Sequence, residues 1–320
     1  MSLQFKEIQE AYTRIKKYVP TTPLEESYYL GNQNQRYFFK LESFQRAKSF
    51  KIRGALNKMM TLTTEEKERG IGTISSGNHG SSVSYAASIL GIKNAKVIVP
   101  KNTPQSKIDK IKYFGADVML MGNSYDEAHA LGMTYIEENG LTFIDAYYSD
   151  PKIYAGQGTV AIEILEQKPD IDTIVVPIGG GGLITGIAVA AKSIKPDIRI
   201  IGVQTEACPA MINSYRDKTF YEEYPSEESI CDALIGGIGK LSYEIAKDYV
   251  DEFLMVSEES IAKAVSFMAK EEKYIAEAAS STTVAAIMEH REKIGGQNIA
   301  LVISGGNIDG KLLTSIMAKY

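Results

Sequence analysis

Short apolar runs rich in Val and Ile recur along this chain at residues 37–41, 71–75, 95–100, 117–121, 173–177, 199–203, 252–256 and 298–303, and helix-patterned stretches separate most of them. This alternation constrains the fold more than any other feature. Runs of that length and content suit strands buried on both faces, the situation of a parallel sheet whose crossover helices cover it above and below. The chain opens with Phe5, Ile8, Tyr12 and Ile15 at helical spacing, which predicts an amphipathic helix. Thr63 with Glu66, and Ser124 with Glu127, fit capping boxes, while Gly91 and Gly115 stand where helix C-termini are expected. The expectation is an α/β protein with two parallel-sheet domains and flanking helices. No repeat, low-complexity tract or linker marks a boundary, so it must be read from the change of sheet. We place a small domain at residues 66–146 and a large one at 1–65 and 147–320. A ligand then belongs at the strand C-termini, where loops of both parts converge.

Charge and composition narrow the function. A net charge of −5 and a pI near 5.5 argue against nucleic acid or a membrane surface as partner. No apolar run approaches the roughly 20 residues a membrane helix needs. The first residues show no export signal, and Cys208 and Cys231 form neither a CxxC nor a zinc pattern, so reduced thiols in the cytoplasm are expected.

Four segments carry chemistry. Gly179, Gly180, Gly181 and Gly182 follow the run 173–177 and precede a helical stretch, so their N–H groups can approach an anion at a helix N-terminus. The same four glycines also serve as a plain tight turn, and they are not a GxGxxG fingerprint. Lys51, in Ser49-Phe50-Lys51-Ile52-Arg53-Gly54-Ala55, lies between an aromatic residue and an apolar helix; partial burial there lowers a lysine pKa and makes it nucleophilic. Lys48 is placed on the same helical face, as a solvated neighbour, a substrate contact or a like charge acting on Lys51. Ser75, Ser76, Gly77, Asn78, His79 and Gly80 follow a strand and open a helix; they offer hydroxyl, amide and N–H groups to a carboxylate or phenolate, or simply cap the helix. His79 suits packing or capping better than proton transfer. Ser304-Gly305-Gly306-Asn307 follows the last strand, where a serine can hydrogen-bond a pyridine nitrogen.

Together and in this order, these segments resemble the fold type II pyridoxal-phosphate enzymes (tryptophan synthase β-like), with Ala155-Gly156-Gln157-Gly158-Thr159 adding to the match. The resemblance spans residues 5–318 and is nearest to threonine/serine dehydratases and serine racemases. It implies pyridoxal 5'-phosphate as cofactor, carried covalently by Lys51, with Phe50 packed against the ring, Asn78 on the ring hydroxyl, residues 179–182 on the phosphate and Ser304 at the pyridine nitrogen. Ser75, Ser76, Asn78 and His79 would receive the amino-acid carboxylate. It also implies a homo-oligomer, a homodimer in particular. There are departures. Ala47-Lys48 replaces the usual Thr-Gly, and Asp232-Ala233 the usual Asp-Gly. A divalent cation would use Glu206 and the Ala210 carbonyl, but Met211 and Ile212 stand where a second acid is usual. No counterpart of the regulatory domain of feedback-controlled threonine dehydratases follows residue 320.

The reaction expected is α,β-elimination from a β-hydroxy amino acid such as L-threonine or L-serine, giving a 2-oxo acid and ammonia. Racemisation is the alternative within the family, with Ser76 as the second base and serine or 3-hydroxyaspartate as substrate; the aromatic Tyr148 favours elimination. A noncatalytic amino-acid- or nucleotide-binding protein would use the same glycine turns without needing Lys51.

Overall fold

Ten strands form two sheets in the computed structural model, which describes residues 3–320. They are β1 (Leu24–Glu26), β2 (Arg36–Leu41), β3 (Ile71–Ile74), β4 (Ala95–Val99), β5 (Asp117–Leu120), β6 (Thr142–Phe143), β7 (Thr173–Pro177), β8 (Arg199–Thr205), β9 (Glu252–Val256) and β10 (Asn298–Ile303). All the runs read from sequence are strands. The two it missed, β1 and β6, are short and lie at sheet edges, where little apolar surface is buried and no run develops.

The larger sheet has the order β1-β2-β10-β7-β8-β9. It is parallel except that β1 pairs antiparallel with β2, a departure from the all-parallel expectation. Only an edge strand with two glutamates tolerates that place, since one side of it needs no cover. The smaller sheet, β5-β4-β3-β6, is wholly parallel and takes all its strands from residues 71–143. The helices Lys51–Met60 and Asn78–Leu90 pack together, the second also on β3 and β4, and beside them the segments that follow β3 and β10 meet through Asn78 and Asn307, which marks the cleft between the two parts.

Local signals behave as their chemistry requires. Thr63 and Glu66 close a reciprocal capping box. Ser124 accepts from the Glu127 N–H, but the Glu127 carboxylate takes the Asn123 N–H instead of closing the box. Gly91 and Gly115, at φ 67° and 100°, end their helices in the left-handed region.

Beneath the cleft lies a closed set of charges. Arg53 donates to Glu42 twice at 2.7 Å, to Glu163 at 2.7 and 2.8 Å, and to Thr159 at 3.1 Å. Lys40 reaches Glu163 at 2.7 Å, and the Thr22 hydroxyl donates to Glu42 at 2.6 Å. Lys40, Glu42 and Arg53 are 0% exposed and Glu163 is 2% exposed, so two cations and two anions compensate one another away from water. They tie β2 to the helices Lys51–Met60 and Pro151–Gln167.

Candidate active site

Lys51 owes its place to two segments far apart in sequence. Ser49 and Gly305 form an isolated antiparallel bridge. The Phe50 N–H donates to the Ser304 carbonyl at 3.0 Å, and the Gly306 N–H to the Lys48 carbonyl at 2.9 Å. Lys48 turns the chain there in the left-handed region at φ 61°, and the helix begins at Lys51. Lys48 therefore precedes the helix and is exposed, rather than sharing a helical face with Lys51 as its spacing suggested. The half-buried Lys51 points its Nζ at the Ala146 carbonyl, 3.3 Å away, with the Phe50 ring centroid at 5.3 Å and that of Tyr147 at 5.7 Å. Burial pushes its pKa down to about 8, against the opposing pull of Asp145 and Glu277.

Across the cleft stands the glycine turn. Gly181, at φ 88°, is the N-cap of the helix Gly182–Ile194. The Gly180 carbonyl accepts from the Gly239 N–H at 2.8 Å and the Ser242 hydroxyl at 2.9 Å. No described residue accepts from the N–H groups of Gly179, Gly180 or Gly181. A Cβ on Gly180 would lie 2.1 Å from Tyr147 Cδ2, and one on Gly181 2.5 Å from Met211 and Ser242. The turn thus has its carbonyl tied back and its donors free, the arrangement that binds an anion at a helix N-terminus.

The loop after β3 completes one wall. Gly77, not a serine, is the N-cap of the helix Asn78–Leu90 and provides no side-chain cap, which removes the capping reading for Ser75 and Ser76. The Ser75 Oγ accepts from the Gly77 N–H at 3.3 Å, while the Ser76 hydroxyl makes no hydrogen bond to any described residue. Asn78 Nδ2 donates to Glu277 at 2.8 Å, and Asn78 Oδ1 accepts from Asn307 at 2.5 Å. His79 is buried with Nε2 3.0 Å from the Ile144 carbonyl; burial, reinforced by Lys51, pushes its pKa down to about 4, so the ring is neutral.

Ser304 is buried at the C-terminal end of β10, its Oγ 3.0 Å from that of Ser280. Ser280 is itself locked by a 2.7 Å bond from the Gly305 N–H and another to the Gly305 carbonyl. The structure therefore brings Phe50, Lys51, Asn78, the glycine turn and Ser304 to one cleft. Glu206 lies apart: it is exposed and accepts from the Glu258 N–H at 3.4 Å, and the Ala210 carbonyl accepts from Ser214 at 2.7 Å. Among the described residues no three His, Cys, Asp or Glu side chains gather as a metal site would require.

Sequence reasoning missed Asp145, Tyr147, Glu277 and Lys110. Asp145 accepts the N–H groups of Tyr147 and Tyr148 at 3.0 Å and of Ser149 at 2.9 Å, fixing the wall opposite Phe50. Glu277 alone carried a signal, as a lone acid in Ile275-Ala276-Glu277-Ala278-Ala279.

Residues 15–305 match the family model described as pyridoxal-phosphate dependent enzyme. An L-threonine ammonia-lyase of Thermotoga maritima is 40% identical over 319 residues, which is 99% of this chain and 79% of that protein. The L-threonine dehydratase catabolic TdcB of Staphylococcus aureus is 39% identical over 310 residues, 95% of this chain and 88% of that protein. The solved structure of maize serine racemase superposes with a TM-score of 0.93 at 34% identity, covering 100% of this chain and 98% of the other. On a family match that runs from the first helix to the loop after the last strand, this chain belongs to the pyridoxal-phosphate dependent enzymes.

Proposed function

We propose that the chain catalyses α,β-elimination from L-threonine or L-serine, releasing a 2-oxo acid and ammonia. The observation that carries this is the Lys51 amine, its pKa pushed down to about 8, beside the Phe50 and Tyr147 rings, with the glycine turn and its free N–H donors against the same Tyr147. The residues fit pyridoxal phosphate. Lys51 would bind it covalently, Gly179, Gly180, Gly181 and Gly182 would hold the phosphate, Asn78 the ring hydroxyl and Ser304 the pyridine nitrogen, with Phe50 against the ring. The bound cofactor supplies an electron sink for the charge left at Cα.

The remaining chemistry falls to the chain. Lys51 gains or loses a proton near neutral pH, so it can take the Cα proton. With the Ser280 hydrogen on the Gly305 carbonyl, Ser304 donates to Ser280 here; turned to the cofactor, its hydroxyl would offer a neutral hydrogen bond rather than a charge, which disfavours a long-lived carbanion and favours prompt loss of the β-hydroxyl. Neutral, buried His79 keeps its N–H on the Ile144 carbonyl, so the proton that lets the β-hydroxyl leave as water would come from Lys51, once it holds the Cα proton, or from the cofactor's phosphate. The N–H groups and hydroxyls of residues 75–79 would receive the substrate carboxylate.

Racemisation is the second reading, favoured by one observation: the Ser76 hydroxyl makes no hydrogen bond to any described residue and so would be free to serve as the second base. Tyr148, aromatic by the same resemblance, supports elimination. Borohydride reduction and peptide mapping of the holoenzyme should label Lys51; labelling of another lysine refutes the assignment. Assay of 2-oxo acid from L- and D-serine, L-threonine and 3-hydroxyaspartate then identifies the substrate. We also propose a homodimer, supported by the exposed aromatic side chains Tyr28, Tyr29, Phe44 and Tyr113, which a partner subunit would cover. Sedimentation of a monomer only would refute it.

A further inference from the structure

Behind Asn78, a second amide and two charged side chains close a relay that the mechanism proposed above does not use. Glu277 is 8% exposed and is the N-cap residue of the helix Ala278–His290. Its Oε1 accepts from Asn78 Nδ2 at 2.8 Å and its Oε2 from the Asn307 N–H at 3.2 Å. Asn307 Nδ2 donates onward to Asn78 Oδ1 at 2.5 Å and to the Ala47 carbonyl at 3.1 Å. Lys110, from the helix Gln105–Tyr113 beside the smaller sheet, donates to Asn307 Oδ1.

This pattern fixes the Asn78 amide in one orientation. A carboxylate only accepts, so Nδ2 must face Glu277, and Oδ1 then faces the Asn307 amide. Of the two hydrogens on Asn78 Nδ2, one is held by Glu277 and the other has no acceptor among the described residues. Glycine at 305 makes room for the acid, because a Cβ there would lie 2.6 Å from Glu277 Oε1.

We propose that Glu277 is a positioning residue for the cofactor: it holds the Asn78 amide with its free N–H turned to the ring oxygen, and Lys110 tunes that hold from the other sheet. The inference rests on the reading that Lys51 carries pyridoxal phosphate in this cleft. Both Glu277 oxygens accept within the relay, and a proton on the carboxylate removes the charge that strengthens those two bonds, so the relay loosens. Burial pushes Glu277 up to about 7, Asp232 pushes the same way, and the Asn78 and Asn307 bonds and Lys110 oppose. The charged groups around it are Lys110, Lys51, Asp232 with its partner Lys107 at 2.9 Å, and Lys48, which acts on Lys110. The sign is definite: the relay is whole above about 7 and loosens as pH falls through it.

The test follows the visible absorption of the bound cofactor with pH, and the retention of pyridoxal phosphate by fluorescence titration. In the wild type the band should change with a midpoint near 7. Glu277→Gln, a permanent mimic of the protonated acid, should lack the transition, keep the low-pH spectrum throughout and bind the cofactor about 10-fold more weakly. Lys110→Met should move the midpoint upward, since it removes a cation that stabilises the carboxylate. In an Asn78→Ala background, Glu277→Gln should add nothing. A wild-type transition and retention in Glu277→Gln, or an equal effect with and without Asn78, overturns the proposal. Should Glu277→Gln fail to fold, an unmoved midpoint in Lys110→Met overturns it instead. Failure of the wild type to carry the cofactor on Lys51 is a separate result and defeats the underlying reading.

Discussion

Replacing Arg53 by Met should be among the most destabilising single changes this protein can suffer. Five hydrogen bonds disappear, and the cluster of two cations and two anions keeps only Lys40. Lys40 remains 2.7 Å from Glu163, so Glu42 is the acid left without a charge partner. It retains the Thr22 hydroxyl at 2.6 Å and the Gln45 amide at 3.4 Å, which satisfy hydrogen bonding but not charge. An uncompensated buried carboxylate of this kind costs about 3–5 kcal/mol. In the wild type, burial tends to raise Glu42, but the Arg53 guanidinium, with Lys40 and Thr22, holds it below the ordinary carboxylate range. Its stabilisation is therefore present above the unfolded pKa and lost as pH falls. In the variant burial is opposed only by the more distant Lys40 and the Thr22 hydroxyl, so the folded pKa rises above the unfolded value of about 4.3 and stability is present at low pH and lost as pH rises. The gap between the two proteins should be widest near pH 8 and narrow towards pH 5. Urea unfolding at both pH values, with cofactor saturating in each, measures it. A loss below about 1 kcal/mol near pH 8, or a gap independent of pH, would refute this account of the cluster.

Gly180→Val should leave the fold largely intact but weaken cofactor retention by more than about 10-fold, because its side chain must displace the Tyr147 ring; equilibrium titration of the folded variant decides. Ser76→Ala should abolish any interconversion of serine enantiomers while preserving most elimination from the L-substrate, as chiral chromatography would show; loss of both activities equally would contradict an opposite-face role. In cofactor-free protein, the neutral fraction of Lys51 should rise with pH through about 8, so acylation of that amine should reach half its limiting rate there, as peptide mapping of timed samples would reveal.

Much of this architecture could be read from the sequence because its strands are buried on both faces. Residues 173–177, all buried as β7, leave a continuous apolar signature, whereas Leu24-Glu25-Glu26 on a half-solvated edge leaves none. The glycine turn and the Ser49-Phe50-Lys51 segment were legible because backbone approach and amine chemistry restrict residue type. The relay through Glu277, Asn307 and Lys110 was not, since it joins helix and loop residues from the two parts of the chain, whose juxtaposition no local pattern encodes. The misplacement of Lys48 has a similar origin. A helical spacing was extended through a left-handed turn that depends on pairing with residue 306.

The neighbouring strands β2 and β10 set an order of events during synthesis. They exchange hydrogen bonds along their whole length, Arg36 opposite Asn298 and Leu41 opposite Ile303, yet more than 250 residues lie between them. The smaller sheet closes within residues 71–143 and can form while the rest is still being made. The centre of the larger sheet cannot: β2 must wait on the ribosome with one flank open until β10 emerges. Until then Phe50 has no Ser304 carbonyl to bind, and the turn that presents Lys51 is unsupported. A nascent chain stopped before residue 298 should therefore hold a folded smaller sheet and an unanchored lysine, so that in the role proposed for Lys51 cofactor capture would wait for β10 to emerge.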